Sequence, residues 1–100
     1  MVKEELIMNT YVILGNYSTD AIENISGERK DKAIKIVEEC GGSVQCLYAL
    51  LGNIDLAGIV EFSDNESALK ASVELARMSG ISFTTYPAVD ADRFDELVGQ

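Results

Sequence analysis

The order of its periodic segments constrains what this chain can fold into more than any other feature of the sequence. Four segments rich in β-branched, aromatic and other apolar residues are typical of strands, and they span residues 10–17, 44–51, 56–62 and 81–88. Apolar residues recur at helical spacing between the first and second segments, from Glu28 to Cys40, and between the third and fourth, from Ser63 to Gly80. The sequence therefore predicts the order strand, helix, strand, strand, helix, strand.

Turn and cap residues indicate how these elements are joined. Gly41-Gly42 and Gly80 are expected to end the two main helices, and Ser63 begins a Ser-x-x-Glu capping box before the second. Residues 52–55 suit a hairpin loop with positive φ, and Pro87 suits an edge strand because it cannot donate to a ladder. We predict an α+β, ferredoxin-like βαββαβ fold, a four-stranded antiparallel sheet with helices on one face. Shorter helical segments are predicted at 21–25 and around Phe94.

Length and charge limit the organisation and the partners. One hundred residues, 47% of them apolar, are enough for one hydrophobic core and too few for two, so we expect a single domain over residues 9–98 after a loose N-terminal leader, residues 1–8. A formal net charge of −9 disfavours nucleic acid and membrane surfaces as partners. No segment approaches the roughly 20 apolar residues that span a bilayer, and the leader lacks the apolar centre of a secretion signal. We therefore expect a cytoplasmic protein.

The residue types available for chemistry are few. The chain has no histidine, which is the commonest metal ligand and the commonest proton-transfer group at neutral pH. We therefore predict no metal site and no cofactor, and every enzymatic hypothesis is weakened. Cys40 and Cys46 form no Cys-x-x-Cys motif, and in a reducing compartment we expect both to be reduced, buried thiols.

The predicted sheet has one face without cover from its own helices. Both alternating sets of side chains nevertheless remain largely apolar, as in the third strand. We expect the uncovered face to carry Ala57, Ile59, Leu47 and Ala49. Because monomers seldom expose a large apolar patch, we predict that a second copy of the chain covers this face, giving a homodimer and possibly a higher oligomer.

Several local features resemble the GYD domain family, small bacterial and archaeal proteins of the dimeric α/β-barrel superfamily. They are the strand end Leu14-Gly15-Asn16-Tyr17, Arg29 near a helix start, the Gly41-Gly42 stop, the loop Leu51-Gly52-Asn53-Ile54-Asp55, the strand Phe83-Thr84-Thr85-Tyr86 and a last helix with Phe94. In the family's G-x-Y-D signature, Ile54 stands where tyrosine is usual, so Gly52 and Asp55 are the residues carried over. The resemblance implies a dimeric α/β barrel and no settled biochemical function.

Five residues are candidates for ligand binding: Tyr48, Asp55, Glu61, Thr84 and Tyr86. Asp55 could act as a base beside the hairpin, but an Asp after a Gly-Asn turn more often accepts hydrogen bonds from loop amides, and we favour that role. Glu61 lies inside an apolar strand and could line a cavity near Thr84 and Tyr86. We favour the simpler interpretation, in which Glu61 reaches solvent or pairs with Arg77.

Three classes of function remain open. The leading hypothesis is a non-catalytic or small-ligand-binding homo-oligomer. The alternatives are a cofactor-independent monooxygenase- or isomerase-like enzyme, with Glu61, Asp55 or Tyr48 as acid or base, and an effector-sensing module similar to ACT domains. An RNA-recognition domain shares the topology, but the third strand lacks its basic and aromatic stacking motif, which excludes that function.

Overall fold

The computed structural model describes residues 8–23 and 26–99, which form eight elements. In chain order they are β1 (Asn9–Tyr17), α1 (Thr19–Glu23), α2 (Gly27–Glu39), β2 (Ser43–Ala49), β3 (Leu56–Phe62), α3 (Asn65–Ser79), β4 (Ile81–Ala88) and α4 (Ala91–Val98). The predicted leader, residues 1–8, lies outside the described residues except for Met8. The last two residues of the helix predicted at 21–25 also lie outside them.

The four strands form one antiparallel sheet in the order β2-β3-β1-β4. This order confirms the predicted α+β, ferredoxin-like βαββαβ fold, with α1 and α4 as short additions. It also confirms that β4, which contains Pro87, is an edge strand.

The hydrophobic core lies between one face of the sheet and helices α2 and α3. The buried side chains of this cluster are Tyr11, Ile13, Val37, Val60, Phe62, Ala68, Ala71 and Leu75. The Tyr11 hydroxyl donates a hydrogen bond to Asn65 Oδ1 at 2.6 Å, which satisfies the polar end of a buried ring. Because α2 and α3 both contribute to this one cluster, neither of these two helices covers the opposite face of the sheet.

The start of α3 differs from the prediction by one residue. Asp64, with extended backbone at φ −158° and ψ 171°, is the N-cap, and its Oδ1 accepts a hydrogen bond from Ser67 N at 2.8 Å. That hydrogen bond lowers the pKa of the Asp64 carboxyl from its usual value. The capping box predicted to begin at Ser63 is therefore wrong. The end at Gly80 is as predicted, because φ of +73° suits glycine.

A β-bulge in β2 changes which side chains face the uncovered side. Val44 pairs with Val60, but the next pair is Cys46 with Ile59, so Gln45 is the extra residue. Beyond this bulge, Leu47 pairs with Gly58 and lies on the helix-covered face. Ala49, which pairs with Leu56, shares that face. The prediction that Leu47 and Ala49 lie on the uncovered face is therefore wrong, because one inserted residue reverses the alternation.

Candidate functional site

We define the bare face as the outward positions of the sheet on the side away from α2 and α3. The register of the three ladders places on it Thr10, Val12, Leu14, Asn16, Ser43, Cys46, Tyr48, Ala57, Ile59, Glu61, Ser82, Thr84, Tyr86 and Ala88. Among these described positions only Glu61 is charged, whereas 25% of the whole chain is charged. The bare face therefore carries much less charge than the surface that such a composition would give on average.

The bare face has an apolar centre and a more polar perimeter. Its two central strands contribute Val12 and Leu14 from β1 and Ala57 and Ile59 from β3. Ile59 is 38% exposed. The outer strands contribute aromatic side chains, since Tyr48 on β2 is 62% exposed and Tyr86 on β4 is 49% exposed.

Four of the five predicted site residues lie on the bare face, but the structure spreads them around its edge. Glu61 is four residues along β3 from Ala57, the partner of Tyr48, which separates Glu61 from Tyr48 by about 13 Å at ~3.3 Å per residue. Tyr48 and Thr84 lie in one row on the two outer strands, about 14 Å apart at ~4.8 Å per strand. Thr84 and Tyr86, two residues apart on β4, are neighbours on this face, but the four groups do not converge on one point within a protomer.

Of the two alternatives favoured for Glu61, contact with solvent or a pair with Arg77, the structure contradicts only the pair with Arg77. Glu61 Oε1 accepts a hydrogen bond from Gln45 Nε2 at 3.2 Å. Arg77 instead pairs with Glu74 on its own helix, at 3.1 Å. The predicted Glu61–Arg77 pair is wrong, because Arg77 belongs to α3 and α3 packs on the other side of the sheet from Glu61.

The fifth predicted residue, Asp55, lies in the loop that resembles the G-x-Y-D signature, residues 51–55, which we call the signature loop. Asp55 connects this loop to β1. Its Oδ2 accepts a hydrogen bond from Tyr17 N at 2.9 Å, and its own amide donates to Gly15 O at 3.0 Å. An amide therefore does donate to this carboxylate, although the amide belongs to the end of β1 rather than to the loop. Gly52 in the same loop has φ of +153°, as the prediction of a positive φ required.

The helix-covered side contains a cavity that the sequence did not reveal. It has a volume of about 290 Å³ and lies between α2, α3 and the sheet. Most of its wall is apolar, with Ala33 and Val37 from α2, Val60 from β3, Leu75 from α3 and Phe83 from β4. The gap depends on how far apart α2 and α3 lie, and no sequence pattern reports that spacing.

One end of this cavity is polar and is connected to the signature loop. Tyr17, Arg29 and Lys30 line it there, at the first turn of α2. The Arg29 guanidinium lies 5.7 Å from the centroid of the Tyr17 ring, and its Nη1 donates to Ala21 O at 2.6 Å. Because Tyr17 N in turn donates to Asp55, the loop, the ring and the guanidinium form one continuous series of contacts. The sequence indicated Arg29 only through the family resemblance.

Within residues 8–23 and 26–99, no group of three or more Cys, Asp and Glu side chains is arranged to hold a metal ion. Over the same residues no helix has the length and apolar character needed to cross a membrane. Cys40 and Cys46 are free thiols. Cys46 lies on the bare face, and Cys40 packs against the core on the helix side.

Comparison with known proteins gives one family and a shared fold. The family model of the GYD domain matches residues 11–98. The leucine response regulatory protein LrpA of Mycobacterium tuberculosis superposes with a TM-score of 0.55 at 8% identity, over 83% of this chain and 51% of LrpA. The chain thus spans about half the length of LrpA, and the likeness concerns the fold alone.

A protein assigned as an aminohydrolase from methicillin resistant Staphylococcus aureus gives a TM-score of 0.43 at 10% identity, over 83% of this chain and 28% of that protein. No curated protein matches this chain in sequence.

Proposed function

Because this chain belongs to the GYD domain family, we propose that it is a non-catalytic, small-ligand-binding protein that works as a homodimer joined through its bare face. The main evidence for the dimer is the distribution of apolar, aromatic and charged side chains on that face. An apolar centre is surrounded by Tyr48, Tyr86, Thr84 and Glu61. A depletion of charge at the centre, with aromatic and polar side chains around it, is typical of protein interfaces.

Charge favours a second copy of the chain as the occupant. Two molecules with a formal net charge of −9 repel each other through most of their surfaces. The bare face contributes a single carboxylate per copy, Glu61, at the end of a strand, so apposing two bare faces brings few like charges together. A strongly charged partner would find no complementary charges on this face.

The area of the bare face is also of the order that a dimer needs. Four strands at ~4.8 Å and six residue steps at ~3.3 Å give a projected area of about 400 Å² per protomer. A standard interface covers about 800 Å² per partner, so the sheet supplies roughly half. The remaining half of such an interface must therefore come from surface outside the sheet.

The positions of the candidate acid–base groups favour binding over catalysis. Tyr48 and Glu61 are about 13 Å apart along the sheet, and the Asp55 carboxylate already accepts a hydrogen bond from Tyr17. A cofactor-independent enzyme would have to complete its site with groups from a second protomer. An ACT-like effector sensor would likewise need a dimer, because its ligand binds at sheet edges between subunits. The proposal includes a cytoplasmic location, where Cys40 and Cys46 would remain the unpaired thiols that the structure contains.

Thiol labelling combined with light scattering tests the dimer. Light scattering at tens of micromolar should give twice the mass of the chain. Cys46 on the bare face should react slowly with iodoacetamide at high protein concentration and faster as dilution dissociates the dimer. Cys40, which is equally half-buried but on the other side, is the internal control and should react at a constant rate. A monomeric mass would contradict the proposal, and so would a rate of Cys46 labelling that does not change with protein concentration.

A further inference from the structure

We propose that the cavity between α2, α3 and the sheet binds a small carboxylic acid with an apolar body, whose carboxylate is held by Arg29 and Lys30. This inference deepens the proposed ligand-binding function and rests on it. It does not require the dimer, because the cavity lies on the helix-covered side of the sheet; Tyr48, at the edge strand β2, is the one bare-face residue that also lines the cavity.

The size and lining of the cavity define the body of the ligand. A volume of about 290 Å³ is roughly twice that of the ~150 Å³ apolar cavity that takes up benzene, and it approaches the lower limit of about 300 Å³ for ligand pockets. Part of the wall is formed by Val37, Val60, Leu75 and Phe83. These side chains have no polar atoms, so an apolar ligand can pack against them without leaving a polar group unsatisfied. A single aromatic ring with a short chain, or an aliphatic chain of similar volume, matches this space.

The polar end of the cavity defines the head group. A guanidinium has five N–H donors, and the bond to Ala21 O uses one of them in Arg29. The remaining donors can bind a carboxylate, which forms short, charge-assisted hydrogen bonds with arginine. Contact with the Tyr17 ring restricts the guanidinium, so less conformational entropy is lost when the anion binds. Lys30 adds a second positive charge at the same end.

The distribution of charge along the chain favours an anion at this end and disfavours it elsewhere. Four of the eight Lys and Arg residues fall within seven positions of α2, namely Arg29, Lys30, Lys32 and Lys35. The chain as a whole carries a formal net charge of −9, so an anionic ligand is repelled by most of the surface. Helix α2 as a whole carries four carboxylates beside these four cations, so the attraction for an anion is confined to the end of the cavity that Arg29 and Lys30 line.

The series of contacts from the signature loop gives Asp55 a positioning role in this site. Asp55 fixes the backbone of Tyr17, and the Tyr17 ring fixes Arg29. Asp55 itself is not expected to touch the ligand. Its replacement by Asn, which keeps one acceptor oxygen for Tyr17 N, should weaken binding less than its replacement by Ala.

Titration calorimetry with 4-phenylbutyrate tests the ligand class, with 4-phenylbutanol as the uncharged control. We expect the carboxylate to bind at least ~10-fold more tightly than the alcohol, which is the minimum for a charge-assisted hydrogen bond. Methyl NMR on the same samples should show shifts at Val37, Val60 and Leu75. Equal binding of acid and alcohol, or shifts confined to Val12, Leu14 and Ile59, would overturn the proposal.

Variants test the two parts of the site separately. Arg29→Gln should weaken binding of 4-phenylbutyrate at least ~10-fold and leave the alcohol unaffected, and Arg29→Lys should restore part of the loss. Lys35→Gln is the matched control, because Lys35 is an exposed cation of the same helix that does not line the cavity. Ala33→Phe fills the cavity and should abolish binding of both compounds. If circular dichroism shows this variant unfolded, Arg29→Gln and the NMR map of the wild type still decide the proposal.

Light scattering on the same samples separates this inference from the dimer. A dimer that binds neither compound overturns the carboxylate site and leaves the bare-face interface intact. A monomer that binds the acid overturns the interface and leaves the site intact.

Discussion

Ile59 and Val60 are neighbours in β3 with side chains on opposite faces of the sheet, so the same substitution should have different consequences at each. Val60 is 1% exposed within the core, and Ile59 is 38% exposed on the bare face. We expect Val60→Lys to unfold the protomer. We expect Ile59→Lys to leave it folded and to dissociate the dimer.

The cost at Val60 follows from its burial. A lysine confined there must lose its proton, and lowering its pKa from about 10.4 to 7 costs about 5 kcal/mol at ~1.36 kcal/mol per unit. The free energy of unfolding for a domain of this size is about 5 to 15 kcal/mol, so the substitution removes between about a third and all of it.

The cost at Ile59 falls on association instead. In the free protomer the ammonium extends into water and the stem stays on the sheet, so the free energy of unfolding changes little. In the dimer two new ammonium groups would be buried near the centre of the interface. A loss of about 2 to 4 kcal/mol, as for a central interface residue, weakens the dimer about 30- to 1,000-fold.

Circular dichroism and light scattering at tens of micromolar measure the two effects. Val73→Lys is the control, because Val73 is an apolar residue of α3 with 42% exposure and it does not lie on the bare face. It should change neither fold nor mass. A dimeric Ile59→Lys variant, a folded Val60→Lys variant, or dissociation by Val73→Lys as well would refute the assignment of the two faces.

Three further predictions concern the loop, the α3 cap and the thiols. Gly52→Val should lower the free energy of unfolding by about 1 to 3 kcal/mol in urea denaturation, because φ at this position is +153°; an unchanged midpoint would contradict this. Asp64→Ala should lower the melting temperature and Ser63→Ala should not, since Asp64 caps α3. The pKa of the Asp64 carboxyl is lowered in the folded state, so its contribution is complete above the unfolded pKa of about 3.9 and is lost as pH falls through the folded pKa; an acid-induced loss of stability that is the same in Asp64→Asn would count against it. Mass spectrometry of unfolded, unreduced protein should find Cys40 and Cys46 both alkylated, and blocked thiols released by reductant would show a disulfide.

The fold could be predicted from the sequence because its determinants are local. Residue spacing defines the strands and main helices, and their order leaves the ferredoxin-like topology as the simple solution. Gly80 permits the positive φ that ends a helix, and Pro87 lacks an amide donor for a ladder. Both effects are local, so the end of α3 and the edge position of β4 were predicted correctly.

The errors arise where a neighbouring element decides between two local possibilities. Ser63 and Asp64 are both good caps, but the Ser63 carbonyl accepts a hydrogen bond from Asn9 Nδ2 at the end of the sheet, and α3 begins one residue later. The bulge at Gln45 is a property of the β2–β3 ladder, so nothing in β2 alone places Leu47 on the helix side. The cavity was missed for the same reason, because its volume depends on the separation of α2 from α3.

The two proposed sites share β3, and this bears on whether ligand binding alters the dimer. Val60 lines the cavity, and Ile59 lies beside it on the bare face. A ligand that fills a cavity already open in the structure requires no shift of the β3 backbone, which is held by ladders to β1 and β2. Coupling between sites usually changes affinity by about 5- to 150-fold and requires two arrangements of a shared element. We therefore expect saturating 4-phenylbutyrate to change the dimer dissociation constant by less than ~5-fold, as measured by light scattering across a dilution series. A larger change would mean that β3 has a second arrangement, and that the ligand controls assembly by selecting between the two.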